Sequence, residues 1–159
     1  ITSRKDEKIM VSISKMTTND LNEIASLLST EFDDFWNENI FRQELQNENS
    51  EYIVARLNNE IVGFAGIWIS PVDIHITDIV VKKDKRNMKI GSNILEELIK
   101  LAETKERETL TLEVNEKNEI AQKLYLNYGF EKLGKRKKYY NNEDDAIIMT
   151  LKLNNINKK

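Results

Sequence analysis

The chemistry open to this chain is limited first by what it lacks. The sequence has no cysteine and a single histidine, His75. Cysteine nucleophiles, disulfides and thiolate zinc sites are therefore excluded, as are zinc sites built on several imidazoles. A serine–histidine–aspartate triad would have to use His75, which lies in a predicted strand with no acidic partner evident nearby. We predict no metal site and interpret His75 as a structural or surface residue.

A loop between a predicted strand and a long predicted helix has the features of a phosphate site. It consists of Arg86, Asn87, Met88, Lys89, Ile90, Gly91 and Ser92. Unpaired N–H groups and the helix dipole make a helix N-terminus a natural site for pyrophosphate. Gly91 lets the backbone approach a ligand closely, and Arg86 can add a charge-assisted contact. Many such turns contain one glycine, so a purely structural role is the alternative.

A second group of residues keeps a fixed register along the following strand and helix. It comprises Leu112-Glu113-Val114, Asn118, Ala121, Leu124-Tyr125 and Gly129-Phe130. This pattern resembles the GNAT superfamily of acetyltransferases, and specifically its RimI branch of protein N-terminal acetyltransferases. The resemblance implies an α/β GNAT fold and an enzyme that uses acetyl-CoA as co-substrate, without a metal.

The end of the chain narrows the resemblance to the RimI branch. Tyr139-Tyr140 and then residues 143–149, Glu-Asp-Asp-Ala-Ile-Ile-Met, resemble the close of RimI-like sequences. Trp36 with Phe41 resembles the aromatic-bearing helix that precedes the substrate groove. The resemblance covers residues 10–153 and implies a substrate groove that includes Trp36, Tyr139 and Asp144.

The resemblance also assigns roles to individual residues. The backbone of Ile79, Val80 and Val81 would bind the pantetheine and place a donor near the thioester oxygen. The loop of residues 86–92 would hold the pyrophosphate, and Asn118 would contact the pantetheine arm. Glu113 would be the general base, and Tyr125 the general acid that protonates the leaving thiolate.

These residue types suit acetyl transfer to an amine. An α-amino group has a pKa of about 7.7–8.0, so a carboxylate, directly or through one water, is a sufficient base. A tyrosine, with a pKa of about 10, is protonated and can donate to the coenzyme A thiolate. Backbone donors stabilise the tetrahedral oxyanion, often by about 3 kcal/mol each.

Each assignment has a plainer structural alternative. Glu113 could be a solvated carboxylate at a strand end, and Tyr125 a core tyrosine with a satisfied hydroxyl. Asn118 is a good helix N-cap, and residues 143–145 could form a solvated acidic turn or attract a cationic N-terminus. Lys89 stands where the family loop has its first glycine, so a positive φ there would cost about 1 kcal/mol or more.

Two classes of function follow. The first is transfer of acetyl from acetyl-CoA to a protein N-terminal α-amine, which the resemblance extends to the N-terminal alanine of a small-subunit ribosomal protein. A GNAT enzyme acting on a lysine side chain, a polyamine or another small amine is the alternative within the same chemistry. The second class is a non-catalytic acyl-CoA-binding module, against which the presence of both Glu113 and Tyr125 counts.

Composition sets the remaining expectations. The 159 residues carry a net charge of −3, are 40% hydrophobic and 32% charged, and suit one globular domain. This charge argues against a nucleic-acid partner, although Lys82, Lys83, Lys85, Arg86 and Lys89 form a basic cluster that could be a solvated loop. No apolar run is long enough to span a membrane, which favours a cytoplasmic protein.

The pattern of apolar residues predicts the order β-α-α-β-β-β-α-β-α-β-β, with a mixed, mostly antiparallel central sheet flanked by helices. Thr17 or Thr18 offers a helix N-cap, Asn58-Asn59 a hairpin turn, and Gly129 a helix C′ position. The core face of the last helix is assigned to Ile120, Ala121, Leu124 and Tyr125. The predicted domain is 10–153, with residues 1–9 and 154–159 as flexible termini.

Overall fold

The structure is a computed structural model that describes residues 11–27, 38–86, 88–140 and 144–153. The side chains of residues 38, 40, 41 and 138–140 are not part of the description. Trp36, Asn87, the side chain of Tyr139 and both predicted termini therefore lie outside the described residues. The expectations placed on them stay predictions.

Seven strands, four α-helices and one 3₁₀ turn form in the described part of the chain. In chain order they are β1 Ser12–Lys15, α1 Thr18–Ala25, α2 Glu38–Gln46, β2 Ser50–Leu57, β3 Glu60–Ile69, β4 Asp73–Val81, the 3₁₀ turn Lys83–Lys85, α3 Ile90–Glu103, β5 Thr109–Asn115, α4 Glu119–Asn127, β6 Glu131–Tyr140 and β7 Asp144–Lys152. This is the predicted order. None of the described helices is both long and apolar enough to cross a membrane.

The seven strands form a single sheet in the order β1-β2-β3-β4-β5-β7-β6. Strand β5 pairs parallel with β4 and antiparallel with β7, whose other neighbour, β6, is also antiparallel. Parallel neighbours require a crossover connection, which α3 supplies between β4 and β5. The predicted α/β class with a mixed sheet is confirmed.

By their backbone contacts the residues divide into two compact units. The first unit takes residues 1–66 and 78–97, and the second takes residues 67–77 and 98–159. A single domain over 10–153 stays a prediction, and the two units are described separately below.

The first unit has an apolar core beside α1. The cluster consists of Met16, Leu21, Ile24, Tyr52, Val54, Ile61, Phe64 and Val80. Thr17 caps α1, and its side chain and that of Asp20 exchange backbone hydrogen bonds in a capping box. Arg56 Nη2 lies 2.5 Å from Asp20 Oδ1. Burial works to raise the pKa of Asp20, but the hydrogen bonds from Thr17 and Arg56 outweigh it and the pKa is lowered.

Two local features fix the strands of this unit. Asn58 and Asn59 have φ of 53° and 68°, which confirms the predicted hairpin turn between β2 and β3. Gly63 of β3 lies where a Cβ would come within 2.9 Å of the Val80 carbonyl oxygen and 2.8 Å of Ile94 Cδ1. Only glycine therefore allows β3 to approach both of these neighbours so closely.

In the second unit, β5 alternates as a half-buried strand should. Leu110, Leu112 and Val114 are buried, and Glu113 lies on the other face. Gly129, with φ of 96°, ends α4 as predicted. The assignment of Ile120 to the core was wrong, because this side chain in the first turn of α4 is 83% exposed. The face of α4 that is buried is instead the one that carries Gln122.

Candidate active site

The strand end expected to bind pantetheine lies in the first unit. Val80 is buried, whereas Ile79 and Val81 are half-buried. The N–H of Lys82 donates to the carbonyl of Val62 at 2.8 Å, which fastens the end of β4 to β3. Arg86 Nε donates to the Val81 carbonyl at 3.3 Å, so the Arg86 side chain folds back over the strand end.

The loop expected to hold pyrophosphate turns into α3 through a left-handed residue. Lys89 has φ of 62°, the conformation for which glycine is suited, and its side chain is exposed. The N–H of Asn93 donates to the Lys89 carbonyl at 3.1 Å and begins the helical hydrogen bonds. The amides of Ile90, Gly91 and Ser92 precede that bond and have no partner within the helix. Lys89 therefore has the positive φ that the expected glycine at this position would adopt without strain.

Packing within the protein does not by itself require glycine at position 91. A Cβ there would meet Val81 Cγ2 at 3.9 Å, an ordinary contact. Glycine at this position places no side chain beside the first amides of α3. These amides, with the dipole of α3, fit an anionic phosphate group.

The basic cluster around this loop is smaller than the sequence indicates. Lys82 is buried, and its Nζ is paired with Glu60 Oε2, whose pKa it lowers. Lys83, Arg86 and Lys89 are exposed. These exposed cations, rather than Lys82, lie at the surface that an anionic ligand would approach.

Glu113, the expected base, lies in the second unit near the end of β5. Its Oε2 lies 2.9 Å from Arg136 Nε on β6, close enough for an ion pair. The contact does not have the alignment of an N–H···O hydrogen bond, and Oε2 is buried without such a bond. A buried carboxylate oxygen in this state gains from any further donor that reaches it.

The turn from β5 into α4 is held by side-chain amides. Asn118 Oδ1 accepts from the N–H of Ala121 at 3.1 Å, so Asn118 is the N-cap of α4. Gln122, for which the sequence predicted no role, is buried and donates from Nε2 to the carbonyls of Asn115 at 3.2 Å and Glu116 at 2.9 Å. Gln122 lies three positions before Tyr125, so the two residues share a face of α4. A polar residue on that face was the sequence feature that could have revealed the role of Gln122.

Tyr125, the expected acid, is half-buried on α4. Its ring lies 5.7 Å from the ring of Phe130, at an interplanar angle of 58°. Its carbonyl accepts from the N–H groups of Tyr128 and Phe130. The turn at Gly129 places Phe130 against the Tyr125 ring, and this contact holds the ring that bears the phenol.

Asp144, expected to line the substrate groove, begins β7 in the second unit. Its Oδ1 lies 2.8 Å from Lys117 Nζ, and its Oδ2 accepts from Asn115 Nδ2 at 3.1 Å. The hydrogen bond from Lys117, and next that from Asn115, lowers the pKa of Asp144. The hydrogen bond to Asp144 likewise raises the pKa of Lys117. Asp144 therefore remains ionised at neutral pH.

The predicted site residues are divided between the two units. The first unit holds Ile79, Val80, Val81, Arg86, Met88, Lys89, Ile90, Gly91 and Ser92. The second unit holds Glu113, Asn118, Tyr125 and Asp144, and the backbone of Tyr139 on β6.

His75 differs from the expectation. Its Nε2 lies 3.3 Å from Asp73 Oδ1, two residues earlier on β4, so the expectation of no nearby acidic partner was wrong. Its ring also lies 5.7 Å from that of Trp68. No cluster of three or more metal-ligating side chains occurs within the described ranges.

Comparisons with known proteins place this chain in a family. Residues 21–130 match the profile of the Acetyltransferase (GNAT) family. A Bacillus subtilis (strain 168) protein with the provisional name [ribosomal protein bS18]-alanine N-acetyltransferase is 31% identical over 149 residues, covering 92% of this chain and 99% of that protein. The N-alpha-acetyltransferase RimI of Mycobacterium tuberculosis is 32% identical, covering 82% of this chain and 84% of its own length.

A comparison with solved structures gives the same family. The crystal structure of the ribosomal-protein-S18-alanine N-acetyltransferase from Escherichia coli superposes with a TM-score of 0.82 at 29% identity, covering 94% of this chain and 99% of that one. The chain belongs to the GNAT family of acetyltransferases. Within that family it is similar to RimI-type enzymes, which confirms the predicted resemblance, and acetyl-CoA is the acyl donor of the class.

Proposed function

We propose that this protein transfers the acetyl group of acetyl-CoA to the α-amino group of a protein N-terminus, and that the acceptor is the N-terminal alanine of a small-subunit ribosomal protein. The similarity to RimI-type enzymes over 92% of the chain carries the proposal. The acceptor comes from the names of those relatives, which specify alanine and ribosomal protein bS18 or S18.

The donor is bound mainly by backbone groups in this proposal. The amides of Ile90, Gly91 and Ser92 at the start of α3 bind the pyrophosphate, and the exposed Arg86 and Lys89 add positive charge. The end of β4 binds pantetheine and supplies a donor to the thioester oxygen. Asn118 contacts the pantetheine arm with the groups that its N-cap hydrogen bond leaves available.

The chemical step is a direct attack of the amine on the thioester. Glu113 accepts the proton of the attacking amine, directly or through one water, and its buried Oε2 accepts no aligned hydrogen bond from the described residues. The tetrahedral intermediate collapses with loss of the coenzyme A thiolate, which Tyr125 protonates. The carbon–nitrogen bond forms, the carbon–sulfur bond breaks, and the products are an acetylamide and free coenzyme A.

A peptide panel tests the proposal. The purified protein is incubated with acetyl-CoA, and free thiol is followed with a peptide that begins with a free alanine, the same peptide with a blocked N-terminus, and a blocked peptide with an internal lysine. We expect thiol release with the free alanyl peptide alone. Thiol release with the lysine peptide or with polyamines would show that the enzyme acetylates another kind of amine. No thiol release despite acetyl-CoA binding would support the non-catalytic alternative.

A further inference from the structure

One cation of the second unit lies directly beside the proposed base. Arg136 of β6 is opposite Ala146 of β7, and Ala146 is opposite Asn115 of β5. Glu113 precedes Asn115 by two residues and shares its face of the sheet. A long side chain on β6 can therefore reach across β7 to Glu113, and that of Arg136 does, with Nε 2.9 Å from Oε2.

The contact is suited to exchange rather than to permanent pairing. Arg136 is 58% exposed in its side chain, whereas Glu113 is 25% exposed and its Oε2 is buried. Nε and Oε2 lie within ion-pair distance without hydrogen-bond alignment, so the carboxylate oxygen is neutralised but not satisfied as an acceptor. A second cation with freely oriented N–H donors would satisfy it better.

The charges nearby are already paired in other ways. Asp144 pairs with Lys117, and Lys135, next to Arg136 on β6, pairs with Glu116 at 3.4 Å. On β4, His75 is opposite Thr111, two residues before Glu113, and pairs with Asp73. Among the ion pairs described for the second unit, the cation at Glu113 is Arg136.

We propose that Arg136 holds the place of the acceptor's ammonium group beside Glu113 Oε2, and that the acceptor must displace it in order to bind. This inference rests on the proposed function. Arg136 is then a specificity-determining residue that acts through Glu113: it competes with every amine for the carboxylate. An acceptor that brings further contacts overcomes the competition, whereas a small amine with only its ammonium group does not.

The inference predicts a change in acceptor affinity that a structural role would not produce. Arg136→Gln removes the competing charge, so the KM for an alanyl peptide should fall about two- to fivefold, the scale of an exposed ion pair. The KM for acetyl-CoA should stay unchanged, and Arg136→Lys should restore the KM of the unmodified protein.

The test measures KM and kcat for an alanyl peptide without other charged side chains, with Lys135→Gln as the matched control. Lys135 is 55% exposed on the same strand and is paired away from Glu113. Arg136→Met, which keeps the length of the apolar stem, repeats the measurement if Arg136→Gln does not fold.

A lower acceptor KM in Arg136→Gln or Arg136→Met, and not in Arg136→Lys or Lys135→Gln, is the expected result. An unchanged or raised KM, or an equal fall in the control, would overturn the inference. Failure of this inference can be distinguished from failure of the proposed function by assaying the unmodified protein. If the unmodified protein turns over no amine, the proposed function itself is contradicted.

Discussion

The two groups of site residues are built in different ways. The loop of residues 86–92 presents backbone amides, and Lys89 is left-handed among its described residues, with its side chain exposed. The segment from Glu113 to Phe130 presents side-chain atoms, and it is held by the buried amide of Gln122 and the N-cap of Asn118. In the proposed mechanism the backbone amides of the loop bind phosphate, so the departure from the family pattern at Lys89 costs only backbone strain, about 1 kcal/mol. The same mechanism uses the side chains of Glu113 and Tyr125 directly, so a change to either of them should cost far more.

The largest effect should come from Glu113. Glu113→Gln keeps the shape of the side chain but removes the base, so kcat/KM for an alanyl peptide should fall by about 1,000-fold, most strongly at low pH where less of the amine is neutral. Thiol release across a pH series measures it. Acetyl-CoA binding by calorimetry is the control and should stay close to that of the unmodified protein; full activity would remove Glu113 from the mechanism.

A smaller loss is expected at Tyr125. Tyr125→Phe keeps the ring against Phe130 and removes only the phenol, so kcat should fall by about 100-fold while acetyl-CoA still binds. Steady-state kinetics and calorimetry check the two parts. If the rate recovers with an acyl donor whose leaving thiol is more acidic, the hydroxyl acts as the proton donor; a loss that is equal for both donors would contradict that role.

Gln122 tests whether side-chain hydrogen bonds hold the second region. Gln122→Leu leaves the carbonyls of Asn115 and Glu116 without their donor, and the free energy of unfolding should fall by about 1–3 kcal/mol. Denaturant unfolding measures this, with Lys123→Ala at the exposed neighbouring position as control. Equal stability of both variants would show that the turn does not depend on this amide.

The smallest effect should come from the loop. Because Lys89 has φ of 62°, Lys89→Gly relieves backbone strain, but it also raises the conformational entropy of the unfolded chain. The two effects oppose each other, so the free energy of unfolding should change by less than about 1 kcal/mol. Lys89→Val should cost about 1–3 kcal/mol more, because a β-branched residue avoids this conformation. Thermal unfolding compares the pair, and equal stability of the two variants would contradict a left-handed backbone here.

What could be predicted from the sequence was local or carried by a continuous pattern. The turn at Asn58-Asn59 and the end of α4 at Gly129 follow from the conformations these residues favour. The order of elements follows from apolar periodicity and from the family pattern. The strained position of Lys89 was predictable because a glycine was expected there.

What could not be predicted depends on contacts between distant residues or on the exact phase of a helix. The pairing of Glu113 with Arg136 depends on the order β5-β7-β6, which brings residues 23 positions apart together. Ile120 fitted an apolar face, but the buried side of α4 is set by Gln122 and the turn before it. The roles of Glu113, Tyr125 and the loop stay predictions.

The most direct test of acetyl transfer to an α-amine locates the acetyl group itself. One peptide with a free N-terminal alanine and an internal lysine is incubated with the protein and acetyl-CoA, and tandem mass spectrometry identifies the modified nitrogen. We predict a single acetyl group on the alanine α-nitrogen. An acetyl group on the lysine side chain, or an unmodified peptide in the presence of bound acetyl-CoA, would contradict it.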